Sequence, residues 1–267
     1  MIAYRILRAL GRLALRWFYR DVEVVGIEQL PVTGPVLLAS NHPNALVDAL
    51  VITCTLRRPV TLTAKATLLE NPITRGLLRL AGVVPLRRTA DDAARAGSAG
   101  EVDPARNAGA FTAVLDVLEA GGVVLLFPEG KSHSDPNLAP LKTGLARIAL
   151  MAQAQRSIGT LPIVPIGLTF ERKWDPRSRV VMAIGTPILL GRDVPNAHGD
   201  ATALTGRIDA GLRGVTLNFR THDDASEVLS VSTLLAEVFD EFRPLQAPDP
   251  PLSESVRLAQ RISTITD

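Results

Sequence analysis

The run Ser40-Asn41-His42-Pro43-Asn44-Ala45-Leu46-Val47-Asp48 sets an imidazole six positions before a carboxylate. The apolar run Val36–Ala39 precedes it and a helical pattern follows it, so His42 leaves a strand end and Asp48 falls on the early turns of a helix. A histidine so placed can act as a general base near neutral pH. An aspartate that reaches back to its Nδ1 hydrogen holds the tautomer and stabilises the imidazolium. The same residues also fit a plainer arrangement, a histidine capping the helix with an aspartate in an exposed first turn.

Three further blocks carry polar residues where apolar runs end. Gly82-Val83-Val84-Pro85-Leu86-Arg87-Arg88 finishes in paired arginines, and the planar fork of Arg88 suits a phosphate; two arginines after a strand are equally at home in solvent. Val124-Leu125-Leu126-Phe127-Pro128-Glu129-Gly130-Lys131-Ser132 ends in Gly-Lys-Ser. A phosphate-binding loop needs glycine where Leu125 stands, loses an amide at Pro128, and needs a helix where Pro136 and Pro140 occur. What remains is Glu129, Gly130 and Lys131 at a strand end, a polar substrate site. In Leu161-Pro162-Ile163-Val164-Pro165-Ile166-Gly167 the prolines argue against a regular central strand and for a bulged or edge strand. No Gly-x-Ser-x-Gly elbow and no Gly-x-Gly-x-x-Gly loop occurs. His133 and Asp135 lack tight metal-ligand spacing with His42, so no metal site is expected.

The elements that must position these residues alternate. Strands are expected at 22–27, 36–39, 60–63, 83–86, 123–127, 163–170 and 180–184, with helices at 44–56, 71–80, 105–119 and 142–156 and a loop at 89–103. This order predicts an α/β fold with a mixed, largely parallel sheet flanked by helices. Beyond about residue 190 the strand signals stop, and helical segments follow near 201–219, 223–242 and 253–264. The expected organisation is a helix over 1–20, an α/β domain over 21–190 and a helical C-terminal extension over 191–267.

The first twenty residues differ from the rest. Arg5, Arg8, Arg12, Arg16 and Arg20 recur every three or four positions, no acid is present, and Ile2, Ile6, Leu10, Leu13 and Trp17 follow the opposite stripe. That is the pattern of an amphipathic helix lying in a membrane interface, drawn to anionic lipid. A surface helix packed on the domain with solvated arginines, or a transit peptide, shares the pattern. No uncharged apolar run reaches the length of a transmembrane helix.

Composition narrows the classes. The 267 residues hold one cysteine, Cys54, which excludes an internal disulfide. A net charge of +2 speaks against nucleic-acid binding through a broad basic surface. All but four of the 29 basic residues are arginine, which singles out Lys65, Lys131, Lys142 and Lys173.

Taken in order, Asn41–Asp48, Gly82–Arg88, Phe127–Ser132 and Leu161–Ile166 resemble the four blocks of the glycerolipid acyltransferase superfamily, across about residues 20–190. Five residues separate His42 from Asp48 where the commonest family pattern has four. The longer spacing, with Phe127–Ser134 and Pro140–Gly144, is similar to a branch that includes glycerol-3-phosphate and dihydroxyacetone-phosphate acyltransferases.

The resemblance implies a phospholipid or glycerol O-acyltransferase needing no cofactor. Its donor would be acyl-CoA or acyl-ACP, and its acceptor a lysophospholipid such as 1-acylglycerol 3-phosphate or, alternatively, a glycerol phosphate. His42 would be the base and Asp48 its support. Lys65 (in Ala64-Lys65-Ala66), Arg88 and more weakly Lys131 would contact phosphate, while Glu129 and Gly130 would shape the acceptor site, Glu129 by accepting a hydrogen bond from an acceptor hydroxyl. The protein would sit peripherally on the cytoplasmic face of a membrane. A non-catalytic lipid-binding protein on the same fold is the rival of another class.

Overall fold

The computed structural model describes residues 2–66, 82–86, 108–156, 158–190, 199–221 and 251–266, with short stretches within 70–78 and 223–232. The helix expected at 71–80 lies largely outside the described residues, and so do the expected loop at 89–103 and Arg88.

The chain begins with α1 (Ile2–Phe18), β1 (Asp21–Val25), a short 3-10 turn, β2 (Val36–Ser40), α2 (Ala45–Thr55), β3 (Val60–Lys65) and β4 (Val84–Leu86). It continues with α3 (Ala108–Glu119), β5 (Val123–Leu126), α4 (Gly144–Gln155), β6 (Leu161–Phe170), β7 (Arg179–Ile184) and β8 (Ile188–Leu190). Two further helices, α5 (Gly199–Arg213) and α6 (Leu252–Thr266), follow.

The strands form one sheet in the order β1-β7-β6-β2-β5-β3-β4, with β8 also on β6. The pairs β2–β5, β2–β6, β3–β5, β3–β4 and β1–β7 are parallel, while β6 runs antiparallel to β7 and β8. The central strands are apolar on both faces because helices cover both. Leu37, Ala39, Val124, Leu126, Leu161 and Ile163 pack with α3, α4 and α5. Their alternate neighbours Val36, Leu38, Val123, Leu125, Val164 and Ile166 pack with α1 and α2. Such period-two burial on both sides fixes the register, since a one-residue slip would exchange the two cores.

Contrary to the expectation from its prolines, β6 is a central strand, lying between β2 on one side and β7 and β8 on the other. The Pro165 carbonyl accepts the Gly185 N–H, so the side of Pro165 that lacks a donor faces the junction where β7 ends and β8 has yet to begin. Pro162 precedes the first residue of β6 paired with β2. Neither ring interrupts a ladder bond where one is required. Strand β8 was not expected; it is three residues long and, among the described residues, pairs with the start of β6.

Helix α1 lies antiparallel on α2. Gly11 permits this approach: a Cβ there would come within 2.6 Å of Cys54 Sγ. Arg12 Nε donates to the Cys54 carbonyl at 2.8 Å. Leu15 and Tyr19 are buried beneath the helix, while Ile2, Ile6, Leu10, Leu13 and Trp17 are 55–77% exposed on its far side. Helix α6 docks at the other end of the chain, where the Glu23 carboxylate accepts the first two amides of the helix, Leu252 at 2.6 Å and Ser253 at 2.8 Å.

Candidate active site

Strands β2, β5 and β3 all finish at one edge of the sheet, the edge where open α/β sheets bind ligands. There the Asn41 amide replaces the ladder partner that β2 no longer supplies: Oδ1 accepts the Leu168 N–H at 2.7 Å and Nδ2 donates to the Leu168 carbonyl at 3.0 Å. This fastens the base of the His42 loop to β6. Ala45, with φ at 47°, then turns the chain into α2, and its N–H donates to Ser132 Oγ at 3.0 Å.

His42 Nδ1 and Asp48 Oδ2 are 2.9 Å apart. The same oxygen accepts the Asn44 N–H at 2.7 Å, so Asp48 closes the first turn of α2 and aligns the imidazole at once. The His42 ring lies flat on Phe127, centroid to centroid 3.9 Å at 14°. With Nδ1 engaged and one face covered, Nε2 is left for substrate.

Asp48 is fully buried, and its Oδ1 has no hydrogen-bond partner among the described residues. Burial pushes its carboxyl above the usual carboxylate range, against the opposing hydrogen bonds from His42 and Asn44 and the charges of His42 and Lys173. A carboxylate so poorly solvated gains most when an imidazolium forms beside it.

Glu129 organises the loop that carries the third block. Its Oε1 accepts the His42 N–H at 2.8 Å; its Oε2 accepts the Ala139 N–H at 2.9 Å and meets His133 Nε2 in a short contact. The His133 N–H donates in turn to the His42 carbonyl at 3.2 Å. Glu129, expected to accept a hydrogen bond from an acceptor hydroxyl, is nearly inaccessible, and both its oxygens are engaged by the protein. Gly130 holds φ at 71° in the turn after β5, where the Lys142 side chain lies across it. Lys131 is exposed. Lys65 closes β3 at this edge in register with Leu86 of β4, two strands from His42. A small crevice at His42 is lined by His133, Asp135, Asn137, Thr216 and Leu217, the last two supplied by the chain after α5.

Several of these residues were not anticipated as parts of the site. His133 enters the sequence reading as a metal possibility and within the Phe127–Ser134 segment, with no role of its own in the site; among the described residues, no three His, Cys, Asp or Glu side chains converge as a metal-binding set. Lys173 was marked only by the scarcity of lysine. It sits half-buried in the β6–β7 connection, where burial lowers its pKa against the pull of Asp48 and Asp135.

Comparison with known proteins follows the same geometry. The sequence model of the family described as Acyltransferase matches residues 21–169. Glycerol-3-phosphate O-acyltransferase 2 of Saccharomyces cerevisiae is 34% identical over 122 residues, 44% of this chain and 16% of that protein. A chloroplastic 1-acyl-sn-glycerol-3-phosphate acyltransferase of Arabidopsis thaliana is 26% identical over 151 residues, 56% of this chain and 37% of that protein. The chain therefore spans about a sixth of the yeast relative and under two fifths of the plant one. The crystal structure of the 1-acyl-sn-glycerophosphate acyltransferase from Thermotoga maritima superposes with a TM-score of 0.56 at 19% identity, over 79% of this chain and 77% of that one, and shares the fold. With the family's segment extending from the start of β1 almost to the end of β6 and enclosing the whole His42–Glu129 network, the chain belongs to the acyltransferase family.

Proposed function

We propose that this protein moves a fatty acyl group from a thioester, on coenzyme A or acyl carrier protein, to a hydroxyl of a lysophospholipid such as 1-acylglycerol 3-phosphate. The observation that carries this reading is the 2.9 Å contact of His42 Nδ1 with the buried Asp48, at the edge where the parallel strands end. His42 Nε2 takes the proton of the acceptor hydroxyl as its oxygen attacks the thioester carbonyl. Asp48 stabilises the imidazolium. Collapse of the tetrahedral intermediate breaks the carbon–sulfur bond, and the imidazolium returns its proton to the departing thiolate. A thioester is already activated, so no enzyme nucleophile is required. Lys65 and Arg88, with Lys131 in a lesser part, hold the acceptor phosphate. Glu129 and Gly130 shape the site from beneath, by fixing the His42 loop.

The acceptor has a second reading, glycerol 3-phosphate or dihydroxyacetone phosphate. The five-residue spacing between His42 and Asp48 favours it, and so does the similarity to a yeast protein whose name carries glycerol 3-phosphate.

The protein works from the membrane surface, at its cytoplasmic face. Residues 1–20 form the interface helix, 21–190 the catalytic domain and 191–267 an extension that also walls the crevice through Thr216 and Leu217. The support is the apolar stripe of α1, which faces away from the domain, with Arg12, Arg16 and Arg20 along a cleft at its flank. Each basic residue at an anionic surface adds about 1 kcal/mol. No helix among the described residues is long and apolar enough to cross a membrane.

The test is thiol release from a long-chain acyl-CoA and from acyl-ACP, with lysophosphatidic acid and glycerol 3-phosphate offered separately. Release that requires one acceptor is expected and identifies it. Release without any acceptor would make the protein a thioester hydrolase. Vesicle binding with no release under any pairing would leave a lipid-binding protein.

A further inference from the structure

The chain has two tryptophans, and both stand in the open: Trp17 is 77% exposed and Trp174 is 75% exposed. Trp17 belongs to the stripe of α1, whereas Trp174 lies far along the chain in the β6–β7 connection, beyond the segment the family shares. The backbone brings the two regions together. The Arg177 N–H donates to the Phe18 carbonyl, the Arg20 N–H donates to the Ser178 carbonyl at 2.9 Å, and the Tyr19 and Phe170 rings meet at 5.9 Å.

We propose that the tip of the β6–β7 hairpin, centred on Trp174, is a second bilayer contact, entering the interface of an anionic membrane beside the apolar stripe of α1. This rests on the membrane reading of α1 given above. Strand β6 runs parallel to β2, so its tip rises at the edge where β2 delivers His42. Trp17 and Trp174 then stand at one rim of the site, and Leu46, 67% exposed on the first turn of α2 beside His42, adds a third apolar residue there. A bilayer touching all three would meet the crevice at the level of its headgroups, where an amphiphilic acceptor presents its hydroxyl.

Charge selects lipid as the occupant. Residues 2–20 carry five arginines and no acid. The hairpin residues 171–179 carry four bases against two acids. Both acids are already paired, Glu171 with Arg179 at 2.9 Å and Asp175 with Arg172 at 3.0 Å, which leaves Arg177 exposed on the same turn. The tip is also pinned: Ser178 Oγ donates to the Arg172 carbonyl at 2.8 Å and the Glu171 N–H to the Arg179 carbonyl at 3.0 Å. Tryptophan is the side chain most at home at headgroup depth, with an apolar body and one N–H.

The two tryptophans make the test direct. In the full chain, Trp17→Phe leaves Trp174 as the sole indole and Trp174→Phe leaves Trp17. Each is mixed with vesicles of phosphatidylcholine and phosphatidylglycerol, with and without brominated acyl chains. Expected are a blue shift and bromolipid quenching of Trp174 in the first variant, and several-fold weaker vesicle binding by Trp174→Ala. Emission of Trp174 that stays unshifted and unquenched, on vesicles that quench Trp17, would overturn the hairpin contact and leave the role of α1 standing. No response from either indole would overturn both. A blue shift that follows protein concentration without lipid would assign the tip to a second copy of the chain and overturn the lipid contact.

Discussion

Where β2, β5 and β3 begin, the guanidinium of Arg58 donates to the carbonyls of Pro31, Gly34 and Gly121 and ties three turns together. Where the same strands finish, two buried carboxylates gather the polar groups. Glu129 matches the Arg58 pattern, with both oxygens engaged by the protein. Asp48 does not: among the described residues it takes two hydrogen bonds on one oxygen and none on the other. A buried polar atom without a partner costs about 1–3 kcal/mol. Polarity that holds the fold thus stands apart from polarity kept under strain beside His42, and substitutions at the two ends should separate the same way.

The largest effect is expected at His42. His42→Ala removes the proposed base and should lower kcat/KM about 10²-fold or more, the range of general-base contributions. The ring is partly exposed and its backbone amide still reaches Glu129, so the fold should persist. Circular dichroism and acceptor-dependent thiol release, measured together, check both halves. Near-normal turnover by the variant would remove His42 from the chemistry.

Arg58→Met should do the reverse. It strips the charged donor from three carbonyls at the far end of the sheet, at a cost of about 1–3 kcal/mol, while nothing in the site changes. For a domain of this size that is a fall of several degrees in Tm. Thiol release per folded molecule should be unaltered. A drop in kcat without a drop in Tm would show that the two ends are coupled.

Much of this contrast was legible in the sequence and part was not. The His42–Asp48 pairing could be read from spacing because both residues lie on one loop and one helical turn. The alternating apolar runs revealed the parallel sheet, since strands buried on both faces have to be apolar throughout. Glu129 could be seen, but its hydrogen bond from the His42 backbone N–H, 87 positions away, could not, because an amide leaves no mark on residue type. The His133 ring pairs locally with Glu129, but only its backbone bond to the distant His42 carbonyl and the nearness of Lys173 to Asp48 place these two residues. The central place of β6 was not legible, because the cost of a strand proline depends on which neighbour faces its missing donor, a property of the assembled sheet.

The smallest effect is the most diagnostic of the strain. Burial raises the Asp48 pKa above its unfolded value of about 4. The sign follows from linkage: a raised carboxyl contributes stability that is fully present below the unfolded pKa and is lost as pH climbs through the folded one. Asp48→Asn keeps an oxygen for the His42 and Asn44 donors and has no charge to lose. The Tm of the variant relative to the wild type should therefore rise as the pH is taken from 4 to 8, even as thiol release falls tenfold or more. Lys173, His42 and Tyr19 also face this carboxyl and remain in both proteins, so the difference between the two curves reports the Asp48 carboxyl together with its coupling to these three groups. A flat difference, or one that turns toward the wild type as pH rises, would mean that the fold accommodates the ionised form without strain. Glu129 would then be the better description of both carboxylates, and the contrast between the two ends of the sheet would rest on His42 alone.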